Sequence, residues 1–327
     1  MCSNSFLITS SYRGENKSSV WLLDINKDSL ILKKELELKN PINPLKDCAA
    51  WGIVTYKEGY YISHAHGITV LDKEFNVVNS YYDREKLRDC HSITIINDRI
   101  YVANTAVDTV EVFDMGLNHK KSIILKDLPG LNRIPTISKD YKGVISDCFH
   151  VNHVSVNDGN IYFTLSFISR KKISLSKKIP FLFFQRETTP GCVYNYTKSE
   201  FFIKNIKGAH DGVWSNGEFV LNQTYNMSLD RFSKNGKHLS SFMCKDAAIY
   251  RGLLITDEYV IVGATKVNKS RSNAGDIYTE MCQNRHGVFE KESKICVYNK
   301  NMQLIKKYSL PNISGQSPEI FSISQYL

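Results

Sequence analysis

The strongest constraint on this chain is that it repeats itself. A short apolar strand closed by Asp or Asn recurs at Trp21-Leu22-Leu23-Asp24, Val70-Leu71-Asp72, Val112-Phe113-Asp114, Cys192-Val193-Tyr194-Asn195 and Cys296-Val297-Tyr298-Asn299, the last two sharing all four letters. Met227-Ser228-Leu229-Asp230 is a weaker sixth copy. Asp and Asn bond to the backbone just downstream, so each copy ends in turn chemistry. Upstream of five copies lies a hairpin of alternating strands, as in His91-Ser92-Ile93-Thr94 with Ile100-Tyr101-Val102-Ala103. Polar turns such as Asn-Asp-Gly and Ser-Asn-Gly join these hairpins. Solvated outer strands follow at 29–38, 77–82, 121–125, 201–204, 238–243 and 304–310. Four strands per unit, at a period of roughly 40–60 residues, predict the blades of a β-propeller. No segment sustains the helical period of an α/β fold.

The count reaches six if the ends join. Glu319-Ile320-Phe321-Ser322-Ile323 reads as an innermost strand, and residues 6–10 and 20–24 as the second and third strands of the same blade. Pairing them closes the ring and hides two sheet edges. The expected fold is all-β: a six-bladed β-propeller of four-stranded antiparallel blades, one domain over residues 1–327. At 42% hydrophobic residues the composition is globular, and the length suffices for one large core. The net charge of +9 favours anionic partners. Nothing beyond that charge supports nucleic-acid binding, since no basic strand is interleaved with aromatics. The start Met1-Cys2-Ser3-Asn4-Ser5 is polar, and Phe6-Leu7-Ile8 is too short for a signal-peptide core. With no apolar run near the roughly 20 residues of a membrane span, the expected location is cytoplasmic. Eight cysteines without a CxxC pair fit reduced thiols used as small apolar residues.

In a propeller the first strand of each blade lines the channel. Its start shares one face with the loop between strands two and three. The residues opening the six inner strands are Trp51, His91, His153, His210, Arg251 and Glu319. The third hairpin is one residue shorter, so its place belongs to His153, His150 or Asn152. The loops on that face add Tyr12, Arg13, His64, His66, Asn104 and Gln223 as candidate substrate contacts beside Trp51 and Arg251. Two of these loops are long enough to serve as lids, at about 167–191 and 267–294. The first carries Arg170, Lys171, Lys172, Lys177, Lys178 and Arg186 around an apolar tract at 179–184, so peripheral membrane contact through 168–186 is a further expectation.

Three imidazoles meeting at one point can hold a divalent metal. The candidate ligands are His91, His153 and His210, with Glu319 as a fourth, and such a site keeps an open coordination position. Without metal, histidine is a natural general base near neutral pH, and Arg251 suits a carboxylate or phosphate. The candidate catalytic set is therefore His91, His153, His210 and Arg251. A purely packing role for these residues stays open. There is no Gly-x-Ser-x-Gly elbow, no phosphate-binding Gly-rich loop and no HExxH, so no nucleotide cofactor is expected.

The segments His210-Asp211-Gly212-Val213, Arg251-Gly252-Leu253-Leu254 and Asn152-His153-Val154 resemble those of an uncharacterised bacterial six-bladed β-propeller family, a domain of unknown function. The resemblance implies the fold and brings no activity. More remotely, the layout is similar to metal-dependent propeller lyases, such as the oligogalacturonate lyases, and to gluconolactonase-like proteins, at the level of fold. The expected function is a channel-mouth enzyme, metal-assisted, working as a lyase, epimerase or hydrolase on a small anionic or sugar-like molecule. The alternative is a non-catalytic binding propeller for a glycan, a protein or a membrane surface.

Overall fold

Each copy of the Asp-ended repeat is the third strand of a four-stranded sheet in the computed structural model. The structure describes residues 4–12, 17–37, 50–133, 148–166, 170–171, 187–188, 190–224, 226–244, 249–266, 292–312 and 318–327. Strands β1 (Ser5–Tyr12), β2 (Lys17–Asp24) and β3 (Ser29–Glu37) pair in sequence. Blade 1 is β4 (Ile53–Tyr56), β5 (Gly59–His64), β6 (Gly67–Asp72) and β7 (Val77–Tyr82). Blade 2 is β8 (Cys90–Ile96), β9 (Arg99–Asn104), β10 (Thr109–Asp114) and β11 (His119–Ile124). Blade 3 is β12 (Val151–Asn157) and β13 (Asn160–Leu165), then, after a short pair β14 (Arg170–Lys171) and β15 (Glu187–Thr188), β16 (Gly191–Asn195) and β17 (Glu200–Ile206). Blade 4 is β18 (Ala209–Ser215), β19 (Glu218–Gln223), β20 (Ser228–Ser233) and β21 (His238–Met243). Blade 5 is β22 (Ile249–Ile255), β23 (Tyr259–Thr265), β24 (Lys294–Asn299) and β25 (Leu304–Ser309). Finally β26 (Glu319–Gln325) adds to β1, giving the order β26-β1-β2-β3 and completing blade 6 from both ends of the chain.

The inner strands touch in ring order, β4 to β8, β12, β18, β22, β26 and back to β4. Apolar clusters fill the spaces between neighbouring blades. Phe163, Tyr194 and Val110 pack between blades 2 and 3, Phe219 and Tyr162 between 3 and 4, and Tyr250 and Leu229 between 4 and 5. The five described cysteines are buried. Apart from Asp230, which lies inside its strand while Ser233 takes the turn N–H of Lys237, the Asp and Asn residues of the repeat cap a turn, as where Asp72 accepts from Asn76 N at 2.8 Å, Asp114 from Asn118 N at 2.9 Å and Asn299 from Gln303 N at 2.9 Å. The residue before that donor is left-handed in each, at Phe75, Leu117 and Met302.

A second device joins blade to blade. A hydroxyl at or just beyond the end of the second strand donates to the backbone carbonyl opening the next inner strand: Thr105 to Val151 (2.6 Å), Ser166 to Ala209 (2.7 Å), Thr224 to Tyr250 (3.2 Å) and Thr265 to Ile320 (3.3 Å). Apart from β14 and β15, residues 167–189 of the first lid-like insertion lie outside the described residues, as do 267–291 of the second, Arg13 and the apolar tract at 179–184. Among the described residues no helix is long and apolar enough to cross a membrane.

Candidate functional site

The site rests on a ring of β-bulges. Pairing slips by one residue between Cys90 and Ser92, Val151 and His153, Ala209 and Gly212, Arg251 and Leu253, and opposite Ser10 and Thr9 in blade 6. In blade 1, Trp51 N donates to Ser63 O and Ser63 N to Gly52 O, so two residues again oppose one. A bulge leaves one residue outside the ladder and re-aims its side chain. Six inner strands bulged near the same end bring Trp51, His91, Asn152, His210 and Phe321 around the axis.

The contacts among them are direct. Trp51 stacks on His91, with centroids 4.4 Å apart and planes at 15°, and meets Phe321 at 4.0 Å. Phe321 carries the Arg251 guanidinium 5.4 Å above its ring. Arg251 Nη1 stands 3.8 Å from Glu319 Oε2, beyond hydrogen-bond reach. His91 and His210 face each other with centroids 6.0 Å apart and planes at 29°. His210 Nδ1 lies 2.9 Å from Asp211 Oδ2, which also accepts from Gly252 N at 2.8 Å. An ionised carboxylate only accepts, so Nδ1 carries the hydrogen and Nε2 presents its lone pair. That Nε2 is buried and has no hydrogen-bond partner among the described residues, as is true of Trp51 Nε1 and of Arg251 Nε and Nη1.

Burial pushes the His210 imidazole down to about 4, against the pull of Asp211, with the Arg251 and His91 charges pushing the same way as burial. Burial alone would raise the Asp211 carboxyl. The His210 and His153 rings and the Gly252 N–H together hold it below the ordinary carboxylate range. The pair at neutral pH is therefore a neutral imidazole oriented by a carboxylate.

The third blade fills its place in the ring with Asn152. Asn152 Nδ2 donates to Ala209 O at 2.8 Å and to Ser166 Oγ, which turns Oδ1 to His91 Nδ1 at 2.7 Å. His153, one residue on, points elsewhere. It lies beside Asp211 and the Gly212 backbone, and burial lowers its pKa. His150 precedes the strand with positive φ and sets its ring edge-on to His91 at 5.1 Å. Thus Trp51, His91, His210, Arg251 and Glu319 come together, while His153 stands behind Asp211. Among the described residues, no three His, Cys, Asp or Glu side chains are grouped to hold a metal ion.

The loop candidates lie apart from this cluster. His64 and His66 sit against Tyr82, and His66 Nδ1 faces Leu87 O at 3.1 Å. Asn104 is used within blade 2, taking Arg88 N at 2.7 Å and donating to Lys86 O at 2.8 Å. Gln223 bonds Asp230 and takes Lys207 N at 3.2 Å. Tyr12 donates to Pro311 O at 3.2 Å. Sequence reasoning missed Asp89, whose Oδ1 lies 3.4 Å from His91 Nε2. For the choice between Asn152 and His153 a signal was available in the turn of each hairpin. Lys57, Asn97, Asp158 and Asn216 open those turns with positive φ. Six positions before them stand Trp51, His91, Asn152 and His210.

No family model matches the chain, and no curated protein sequence does. Solved structures match its shape. A nidogen/laminin complex aligns at 9% identity over 99% of this chain and 98% of that one, with a TM-score of 0.59. A protein of unknown function from Bacteroides caccae aligns at 9% identity over 98% of each chain, with a TM-score of 0.58. A protein described as a candidate 6-phosphogluconolactonase from Bacteroides uniformis aligns at 12% identity over 95% of this chain and 84% of that one, at 0.50. At such identities the likeness is one of fold, and with the six four-stranded sheets it makes this chain a six-bladed β-propeller.

Proposed function

We propose that the axial cluster is an enzyme centre in which His210, oriented by Asp211, takes a proton from a small anionic or sugar-like molecule. The observation that supports this reading is the buried His210 Nε2, bare of any described partner while Nδ1 is fixed on the carboxylate. A general base needs its lone pair free, its tautomer fixed and its ring neutral at working pH. Arg251 lies close enough to His210 to act on it electrostatically. Its unpartnered N–H groups suit negative charge present on the substrate or developing during proton removal.

The test is a screen of purified protein against a disaccharide uronide, a sugar phosphate and gluconate, following loss of substrate, with metal content measured alongside. The expected result is turnover of one of them that falls about 100-fold or more in Asp211→Asn and His210→Gln. A stoichiometric metal lost in both His91→Ala and His210→Ala would assign Nε2 to coordination and overturn the base role. A non-catalytic binding propeller is the second reading, favoured by how nearly Trp51, His91 and Phe321 close the axis, each under 10% exposed. It is supported instead if the whole panel is inert and deleting 168–186 abolishes association with a partner.

A further inference from the structure

We infer that two copies of this chain join through β7, the outer strand of blade 1, as antiparallel neighbours in one continuous sheet. The sequence of that strand is the first ground. An outer strand presents a row of backbone groups, and charged side chains, lysine above all, keep such edges from pairing. β3 carries Lys33, Lys34, Glu35 and Glu37, β11 Lys120 and Lys121, β17 Glu200 and Lys204, and β25 Lys306 and Lys307. β7 reads Val-Val-Asn-Ser-Tyr-Tyr, without a charge, and its Val and Tyr residues favour strands. Val77, Val78 and Tyr82 are 54%, 60% and 45% exposed. β21 also lacks Lys, Arg, Asp and Glu, but its centre is Ser240-Ser241, and His238 faces Ser241 and Asp230.

Backbone direction sets the register. Asp83 N donates to His66 O at 3.0 Å, next to the pair Gly67↔Tyr82. Bonded and open positions alternate along an antiparallel ladder, so Tyr81 and Asn79 turn their backbone groups to β6, while Tyr82 and Ser80 turn theirs outward. Ser80 N accordingly donates to the exposed Asn79 side chain, at 2.8 Å. A bulge next to Asn79 leaves Val78 out of the ladder with β6. Residues 78, 80 and 82 share one face of the strand. A two-fold axis normal to the sheet at Ser80 therefore sets Ser80 opposite Ser80 of the second copy, and Val78 opposite Tyr82, twice. Pairs of a β-branched and an aromatic residue stabilise sheets. In that register the outward N–H and C=O groups face one another across the seam, once the Asn79 side chain swings aside. Beyond the strand, antiparallel order brings Lys73 and Glu74 of one copy alongside Glu85 and Arg84 of the other, so opposite charges meet. The contact is small, under the roughly 1,200 Å² of stable complexes, so the dimer is a reversible one.

Sedimentation equilibrium of the full chain, from about 10 μM to about 1 mM, is the test. The mass is expected to rise toward that of two chains. Ser80→Lys, at an exposed position, sets two ammonium groups opposite each other and is expected to weaken pairing about 5-fold or more, as is Ser80→Glu. An equimolar mixture of the two variants is expected to pair again, because opposite charges then face across the axis, and that recovery shows both to be folded. Asn79→Ala, which uncovers Ser80 N, is expected to tighten pairing about 3-fold. Ser240→Lys, the same change on β21, is expected to leave it as it was. A chain that stays single at about 1 mM, pairing that survives Ser80→Lys, or a mixture of Ser80→Lys and Ser80→Glu that does not pair overturns the inference. Growth beyond two chains that is lost in Ser240→Lys would mean that β7 meets β21 of the next copy, and it overturns the two-fold pairing.

Discussion

His210 and His64 show what burial does to single residues here. Burial drives His210 down to about 4 and His64 to about 3. An unfolded chain takes a proton on each ring below about pH 6.5, while the folded chain does not until far lower. The unfolded state then binds more protons, so stability must fall as pH drops from about 6.5 toward 4. By pH 5 the loss is about 2 kcal/mol per ring, 1.5 units at about 1.36 kcal/mol each. Asp211, held low, adds a loss of the same sign only at more acid pH. Urea unfolding at pH 7.5 and 5 measures this, and His64→Gln is expected to reduce the difference. At this scale the sequence was partly legible. His91, His210 and Arg251 stand where inner strands open. Choosing between His153 and Asn152 was harder, because a bulge has no letter of its own and one extra residue reverses which side chain faces the axis.

Bulges and latches set the tolerance of each strand. Gly252 carries φ +71 in its bulge, and a Cβ there would come 3.1 Å from Ile323 Cγ1 and 3.3 Å from the Ser322 backbone. Gly252→Ala is expected to cost about 1–2 kcal/mol from the left-handed backbone, before any crowding, and to disturb the N–H that holds Asp211. Thermal unfolding together with the His210 ring-nitrogen signals reads both effects. Thr224→Val removes the latch to Tyr250 O and is expected to cost about 1 kcal/mol in a denaturant melt. The repeated strands could be found from sequence because Asp72, Asp114 and Asn299 must accept turn N–H groups, so composition and geometry agree. The latches were hidden in plain sight. Ser166 and Thr265 stand at or just past the ends of second strands with nothing in their spacing to mark them, yet their hydroxyls are buried and serve the next blade. Blades 2 and 4 also share a cluster at identical spacing around a buried carboxylate. Glu111 takes His119 and Ser122, and Asp230 lies 3.6 Å from His238, itself bonded to Ser241. In blade 2 the hydroxyl and the carboxylate both approach the same nitrogen, Nε2 of His119. A catalytic relay needs opposite nitrogens, so this cluster braces the outer strands.

For the whole molecule, the ring depends on one seam. Strand β26 pairs with β1 from Phe6↔Gln325 to Ser11↔Glu319, and it brings Glu319 and Phe321 to the axis. A chain ending at residue 312 would leave the inner edge of β1 open and the axis without Phe321. It is expected to lose the cooperative thermal transition of the full chain and to associate through the bare edge, which size-exclusion chromatography and circular dichroism would register. Circularity was legible because both ends of the sequence carry strands of one incomplete blade. The seam also sets a timetable. At about 5–20 residues per second a ribosome takes roughly 15–65 s to pass from blade 6's first strands to the strand that closes it, and all five other blades are made in between. Five blades can assemble while synthesis continues, but each nascent molecule must wait for β26. Until that moment it carries one exposed sheet edge, and that is when it most needs a chaperone.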